Sequence, residues 1–253
     1  MLKNLREKPL MAKTVGVLTG VIVAGLGIWA RSWSRTRTKQ TEKESHDKRT
    51  TNPPNDTAKA TERYLLYFTV PLWVIAGTLD YLHHRRTKIE TTSGPTESAI
   101  HALMMTEAGI PMVLGLLLEI NAGVILLMIA AFFLHAATAV WDVAYAVERR
   151  KVTPGEQHVH SFLEVLPFCA VSFVICIHWN QFASLLGMGN EKASFRLKKK
   201  QPGLPKGYIA GFLGAVAING AVYGEELLRC LRANQEGLTG TETPEAAREL
   251  YRT

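Results

Sequence analysis

Long apolar blocks, separated by short basic clusters, are the feature that most constrains the fold of this chain. A helix rises about 1.5 Å per residue, so roughly twenty apolar residues cross the hydrocarbon core of a bilayer. Blocks near this length lie at residues 14–30, 64–82, 95–120, 124–147, 161–182 and 207–228. The pattern predicts an all-α polytopic membrane protein, with one N-terminal anchor helix and a bundle of about five transmembrane helices.

The polar stretches beside these blocks divide the chain into four predicted regions. Residues 1–30 are predicted to be a basic segment followed by the anchor helix. Residues 31–62 carry charges of both signs and almost no large apolar side chain, which predicts a disordered linker. Residues 63–232 form the predicted transmembrane bundle, and residues 233–253 a polar C-terminal tail.

The basic residues indicate how the chain sits in a membrane. The formal net charge is +7, and most Lys and Arg side chains lie beside apolar blocks. We therefore expect the lipid bilayer as a partner, and no nucleic acid. Basic clusters after the second, fourth and sixth blocks place those ends in the cytoplasm, which predicts a multi-pass protein of the bacterial inner (plasma) membrane. Glycine-rich spans predict an oligomer contact.

Ionisable side chains gather at the predicted cytoplasmic ends of four blocks, where charge is costly and needs a partner or a function. Spacings of three, four or seven residues put a carboxylate and a histidine of each block on one helix face. The candidates are Asp80, His83 and His84; Glu97 and His101; His135 and Asp142; and Glu156, His158, His160 and Glu164. Imidazole and carboxylate on facing helices predict a site for a divalent transition metal, iron or zinc.

Structural roles compete with this interpretation at several positions. Thr153-Pro154-Gly155-Glu156 has the pattern of a capping box, so Glu156 also fits as a helix cap, and Glu97 sits similarly after Pro95. His158 points about opposite to His160 on a helix, and we expect His160 to face the site.

The expected metal ligands are the histidines of four different blocks. These are His84, His101, His135 and His160. Asp80, Asp142, Glu97 and Glu164 are expected to act as ligands, as a base or as partners of the ligands. His83 and His84 also fit an interfacial basic flank.

Three stretches carry a resemblance to known proteins: residues 80–90, 118–122 and 156–164. Through them, the segment from Tyr64 to about Arg232 resembles a family of uncharacterised bacterial multi-pass membrane proteins. That resemblance implies a membrane fold. The chain is also loosely similar to membrane di-iron hydroxylases and desaturases, which carry histidine clusters at the cytoplasmic ends of their spans.

These observations favour a membrane metalloenzyme that acts on a lipid or another apolar substrate at the cytoplasmic face. With iron it would be an oxidoreductase, and with zinc a hydrolase. A non-enzymatic proton-linked transporter or membrane sensor is an alternative. A haem-binding subunit with His101 and His135 as axial ligands is another. The Gly-Gly-Asp-Glu-Phe signature of diguanylate cyclases is absent from the sequence.

Overall fold

The computed structural model describes residues 53–242. The chain forms two units, Met1–Lys59 and Ala60–Thr253, and the second contains every helix from Val70 onward. The predicted N-terminal anchor, the linker up to residue 52 and the tail from residue 243 lie outside the described residues.

The described part of the chain is helical. Its helices are α1 Pro53–Tyr64, α2 Val70–Thr87, α3 Gly94–Leu117, α4 Ala122–Val147, α5 Pro154–Ile177, α6 Trp179–Leu185 and α7 Lys206–Gln235, with a π-helical turn at Leu65–Thr69 between α1 and α2. Five of these segments are long and apolar enough to cross a membrane: the continuous helix Asp56–Thr87, then α3, α4, α5 and α7. The predicted all-α fold with about five bundle spans is confirmed.

The helices carry apolar side chains on the outside and polar ones within. On α4, Phe133, Leu134 and Val140 are 66%, 57% and 72% exposed, whereas His135 and Asp142 are buried. A water-soluble helix shows the opposite pattern, with its apolar stripe turned to the core. Apolar outer faces match a lipid environment, where an exposed Leu or Phe has no cost.

The five long segments close into a ring. Helix α2 packs against α5, α5 against α4, α4 against α3, α3 against α7, and α7 against α2. Every span therefore has two neighbours and one inward face. Side chains on the five inward faces meet in the middle of the ring, shielded from lipid.

Left-handed backbone conformations at residues 88 and 94 and a capping box at residue 153 set the ends of helices α2, α3 and α5. Helix α2 stops at Lys88, which adopts a left-handed conformation. Helix α3 begins at Gly94, where φ is +68°. Helix α5 begins with a capping box, because the Thr153 hydroxyl accepts from the Glu156 amide and the Glu156 carboxylate accepts from the Thr153 amide. These ends fix the depth of the first turns of α3 and α5.

At the other end of the ring, the connection between α6 and α7 pairs with the turn between α3 and α4. The Glu119 amide donates to the Lys198 carbonyl at 2.8 Å, and the Lys200 amide to the Leu117 carbonyl at 2.9 Å. The Asn121 side chain caps α4 through the Val124 amide and donates to the Arg196 carbonyl. These bonds satisfy polar backbone that would otherwise be exposed where the spans end.

Residues 53–62, the end of the stretch predicted as a linker, are helical in the structure. Strong helix formers are frequent here, including Ala58, Lys59, Ala60 and Glu62. Polar composition alone does not distinguish a linker from a helix.

We predict that Gly94→Ala destabilises the protein by at least about 1–2 kcal/mol, the cost of a left-handed L residue. A Cβ at this position would also lie 2.4 Å from Thr239 Cγ2. Denaturant unfolding of the full chain in detergent measures the effect. Gly109→Ala is the control, since a Cβ there meets nothing within 4 Å and alanine favours a helix by about 1 kcal/mol. Equal stability of the two variants would contradict the prediction.

Candidate metal centre

A buried cluster of histidines and carboxylates fills the ring where α2 ends and α3 and α5 begin. Each of the five ring helices contributes at least one member. The members are Asp80 and His84 from α2, Glu97 and His101 from α3, Asp142 from α4, Glu156 and His160 from α5, and Glu226 from α7. Each is at most 3% exposed except His160, whose side chain is 12% exposed.

Glu226 holds two histidines at once. Its Oε2 lies 3.0 Å from His84 Nδ1, and its Oε1 lies 3.1 Å from His101 Nδ1. The two imidazole rings stack in parallel, with centroids 4.3 Å apart and planes 5° apart. When both Nδ1–H groups donate to an ionised Glu226, both Nε2 atoms keep a free lone pair, the form in which histidine binds a metal.

The Nε2 atom of His84 faces one group of potential ligands. It lies 3.5 Å from Asp80 Oδ1 and 3.7 Å from Glu156 Oε1. His160 Nε2 approaches the same Asp80 oxygen at 2.8 Å. One ligand atom from each of these four residues lies within 4.8 Å of the others. We call Asp80, His84, Glu156 and His160 the His84 set.

The Nε2 atom of His101 faces a different pair of carboxylates. It lies 3.2 Å from Asp142 Oδ1 and 3.9 Å from Glu97 Oε1. We call Glu97, His101 and Asp142 the His101 set. Ligand atoms of His84, Glu97 and His101 also lie within 4.8 Å of one another, so the two sets adjoin.

Several atoms of the cluster are buried but lack an aligned hydrogen-bond partner. These are Asp80 Oδ1, His84 Nε2, His101 Nε2, Asp142 Oδ1 and Glu156 Oε1. An unsatisfied buried polar atom costs about 1–3 kcal/mol, and more when it is charged. Asp80 Oδ1 and Glu156 Oε1 still have close contacts, at 2.8 Å to His160 and 2.6 Å to Arg150. The remaining three atoms, on His84, His101 and Asp142, are the ones to which a bound ion would supply a partner.

Arg150 joins α3 to α5 beside the cluster. Its Nε donates to both Glu97 oxygens, at 3.0 and 3.1 Å, and its Nη2 contacts Glu97 as well as Glu156 Oε1 at 2.6 Å. Burial by itself would lower the pKa of the Arg150 guanidinium, but the charges and hydrogen bonds of Glu97 and Glu156 outweigh burial and raise that pKa. Arg150 thus stays charged and orients both carboxylates.

The cluster carries an excess of negative charge. It contains five carboxylates, and the buried Arg150 contacts two of them, Glu97 and Glu156. With neutral histidines, four negative charges remain in a region of low dielectric. Burying charge without a counter-ion costs several kcal/mol per group, so the site favours cations.

A cavity of about 460 Å³ ends on this cluster. Asp80, His101, Asp142 and His160 line it, and most of the remaining wall is apolar, including Trp73, Met104, Met112, Val113 and Ala215. A second cavity of about 280 Å³, toward the other end of the ring, shares Trp73, Met112 and His135 with the first.

The other predicted site residues do not join the cluster. His135 lies deeper and pairs with Glu107, its Nδ1 being 3.9 Å from Oε2, while the Thr138 hydroxyl donates to Glu107 Oε1 at 2.9 Å. His83 is half-buried against the first turn of α5 at Gly155.

Two predicted residues of α5 are exposed. His158 packs edge-on against Phe162, with ring centroids 5.3 Å apart. Glu164 lies in the wall of the first cavity. Of the pair His158 and His160, His160 faces inward.

Sequence reasoning missed Glu226, Arg150 and Tyr223. Tyr223 donates to the Gly77 carbonyl at 2.9 Å and lies 3.4 Å from Asp80 Oδ2. The signal for Glu226 is an acidic pair, Glu225-Glu226, inside an apolar block, where carboxylates are rare without a function. Arg150 resembles its neighbours Arg149 and Lys151 in sequence, so nothing there distinguishes it.

The fold and the cluster together define a multi-pass helical membrane protein whose buried histidine and carboxylate groups could hold a metal ion. Comparison with protein families, curated proteins and solved structures finds no match to this chain. The chemistry of the site itself is therefore the basis for its function.

We predict that Arg150→Gln destabilises the protein by about 3–5 kcal/mol, because it leaves two carboxylates buried without their cation. Denaturant unfolding in detergent measures the loss. Arg149→Gln is the matched control: Arg149 is 40% exposed and lies over the Tyr145 ring at 3.7 Å, so we expect a loss of less than about 1 kcal/mol. A loss at Arg150 no larger than at Arg149 would contradict a buried ionic junction.

Proposed function

We propose that this chain is a metal-dependent enzyme of the bacterial inner membrane that acts on a lipid or another apolar substrate at the cytoplasmic face. The observation that carries the proposal is the junction between the apolar cavity and the cluster. Asp80, His101, Asp142 and His160 belong to both, so an apolar molecule in the cavity would touch metal-ligating atoms.

The wall of the cavity supports an apolar substrate. Ile110 of α3 and Val216 of α7 line it and are also exposed on the outer surface, at 53% and 40%. The cavity thus reaches the lipid-facing side between α3 and α7. A molecule dissolved in the bilayer could enter the cavity there without crossing water. Transfer from water into the cavity would stabilise its apolar part by about 25 cal/mol per Å² of buried surface, whereas transfer from lipid would gain little.

The ligand chemistry supports a divalent transition metal. Imidazole nitrogen with carboxylate oxygen suits iron, zinc and manganese. Iron would supply oxidative chemistry, and zinc a water activated for hydrolysis. The residues of the chain would orient these ligands: Glu226 sets the histidine tautomers, and Arg150 holds Glu97 and Glu156.

The cytoplasmic placement rests on the basic side chains around the cluster. Arg85, Arg86, Arg149, Lys151 and Arg232 all lie at or just beyond the helix ends on this side. An excess of Lys and Arg in short loops marks the cytoplasmic side. Lys198, Lys199 and Lys200 lie at the opposite end, so the orientation rests on the short connections at residues 83–93 and 148–153. The bacterial inner membrane is part of the proposal through the sequence resemblance alone, and two of the stretches that carry it, residues 80–90 and 156–164, contain the His84 set.

The rival functions make different demands on the same residues. A proton-linked transporter or sensor would use the buried histidine–carboxylate contacts without a metal. A haem bound through His101 and His135 is less well supported, because both nitrogens of His101 already face carboxylates, Glu226 at 3.1 Å and Asp142 at 3.2 Å.

We predict that the purified full chain holds a stoichiometric transition metal and that the His84 set loses its ion in His160→Ala. The His84 set then keeps three of its four ligands. Elemental analysis and absorption spectra of protein purified in detergent measure this. His158→Ala, two residues away and exposed, is the control and should keep its metal. Metal-free, colourless wild-type protein would refute the proposal and favour the proton-linked alternative.

A further inference from the structure

We propose that the cluster binds two metal ions, one in the His84 set and a second in the His101 set, with Glu226 as the shared partner of both histidines. This inference rests on the proposed metal centre and specifies its nuclearity. It also assigns Glu226, which contacts neither predicted metal position, a role in both.

The first argument is the parallel arrangement of the two imidazoles. Glu226 anchors each ring at Nδ1 through a different oxygen, and the rings lie 4.3 Å apart in nearly parallel planes. One ligand atom of each histidine lies within 4.8 Å of the other. This spacing is compatible with a two-metal site, in which the ions lie about 3.5–4 Å apart.

The second argument is that each Nε2 atom has its own carboxylates. His84 Nε2 faces Asp80 and Glu156, whereas His101 Nε2 faces Asp142 and Glu97. A four-coordinate ion could bind only four of these six groups, and an ion on one nitrogen would leave the carboxylate nearest the other nitrogen without a cation. Glu97 lies near both histidines, so the two positions adjoin.

The third argument is the set of unpartnered atoms around the second position. His101 Nε2 and Asp142 Oδ1 are both buried and lack an aligned hydrogen bond. The residues are only 3% and 2% exposed. They lie 3.2 Å apart, close enough for both to contact a common ion.

The fourth argument is charge. Five carboxylates and the Arg150 guanidinium leave four negative charges when the histidines are neutral. With every histidine neutral, one divalent ion would leave two of them uncompensated, whereas two divalent ions would balance all four without a proton on His101 between Glu226 and Asp142. Low dielectric makes this difference large compared with the stability of a small domain.

The two positions differ in how many protein ligands they have. The His84 set offers four ligand atoms within 4.8 Å of one another. In the His101 set, Asp142 Oδ1 lies 3.2 Å from His101 Nε2, and Glu97 Oε1, which Arg150 also holds, lies 3.9 Å from it. Closed four-ligand sites are typically structural, and three-ligand sites leave a place for water or substrate. Asp80 and His160 of the first set and His101 and Asp142 of the second all line the apolar cavity, so the number of ligands, not the position, puts the open place on the second ion.

The test is reconstitution of metal-stripped full chain with Mn²⁺ alone, followed by elemental analysis and electron paramagnetic resonance. We expect two Mn²⁺ per chain and an exchange-coupled spectrum. Asp142→Asn should bind one Mn²⁺ and show the uncoupled six-line signal. Glu164→Gln, which alters a cavity-wall carboxylate outside both sets, should keep two coupled ions.

Glu226→Gln tests the shared partner. Its amide keeps one acceptor oxygen and turns an NH2 donor toward the other histidine, so the affinity of at least one position should fall by about 10–100-fold, the usual effect of losing such a partner. Unchanged affinity at both positions would overturn the role assigned to Glu226.

The outcomes separate the two proposals. One Mn²⁺ per wild-type chain, with an uncoupled spectrum, overturns the second position and leaves the proposed metal centre standing. No bound Mn²⁺ overturns both. If Asp142→Asn does not fold, the wild-type stoichiometry and its coupling decide the question, and His101→Gln serves as the second variant.

Discussion

The burial of five carboxylates inside a ring of membrane-spanning helices is the constraint on which the rest of the structure depends. A carboxylate in a low-dielectric interior needs a cation or hydrogen-bond donors, or it makes the fold unstable. Here the partners of each acid come from other helices: Glu226 of α7 binds histidines of α2 and α3, and Asp80 of α2 contacts His160 of α5. The polar contacts therefore tie together all the helices that surround them. In a bilayer, where apolar contact between helices gains little over contact with lipid, such contacts contribute to association as well as to chemistry.

The same constraint explains why structural and site roles coincide at the ends of the helices. Glu156 caps α5 through the Thr153 amide and also faces His84 Nε2 at 3.7 Å. One residue thereby fixes where the helix starts and where its carboxylate points. Arg150 does the same for the connection between α4 and α5, because holding Glu97 and Glu156 fixes the loop and two ligand candidates together. A site built this way is rigid because its ligands are also its caps and loop anchors.

Much of this architecture could be predicted from the sequence, for identifiable reasons. Apolar block length is a direct consequence of bilayer thickness, so the spans of the bundle were predictable. Helical spacing places Asp80 beside His84 and Glu97 beside His101, and the structure has both pairs within 4 Å. Partners across helices were not predictable. His135 was expected among the ligands, but it lies deeper and meets Glu107 of α3. Glu226 was overlooked because its helix carries no histidine, and spacing along one helix cannot show which of Glu225 and Glu226 faces inward.

The position of Glu226 has a further physical consequence. Its two oxygens serve two different histidines, so a change at one histidine alters the hydrogen bond available to the other. A cation that withdraws electron density from His84 Nε2 would strengthen donation from its Nδ1–H and draw negative charge on Glu226 toward that side. The bond to His101 would weaken in response, since groups in one hydrogen-bond network are not energetically independent. The affinities of two ions in this centre would therefore be coupled, and the hydrogen bonds of Glu226 on α7 would change with the occupancy of each position.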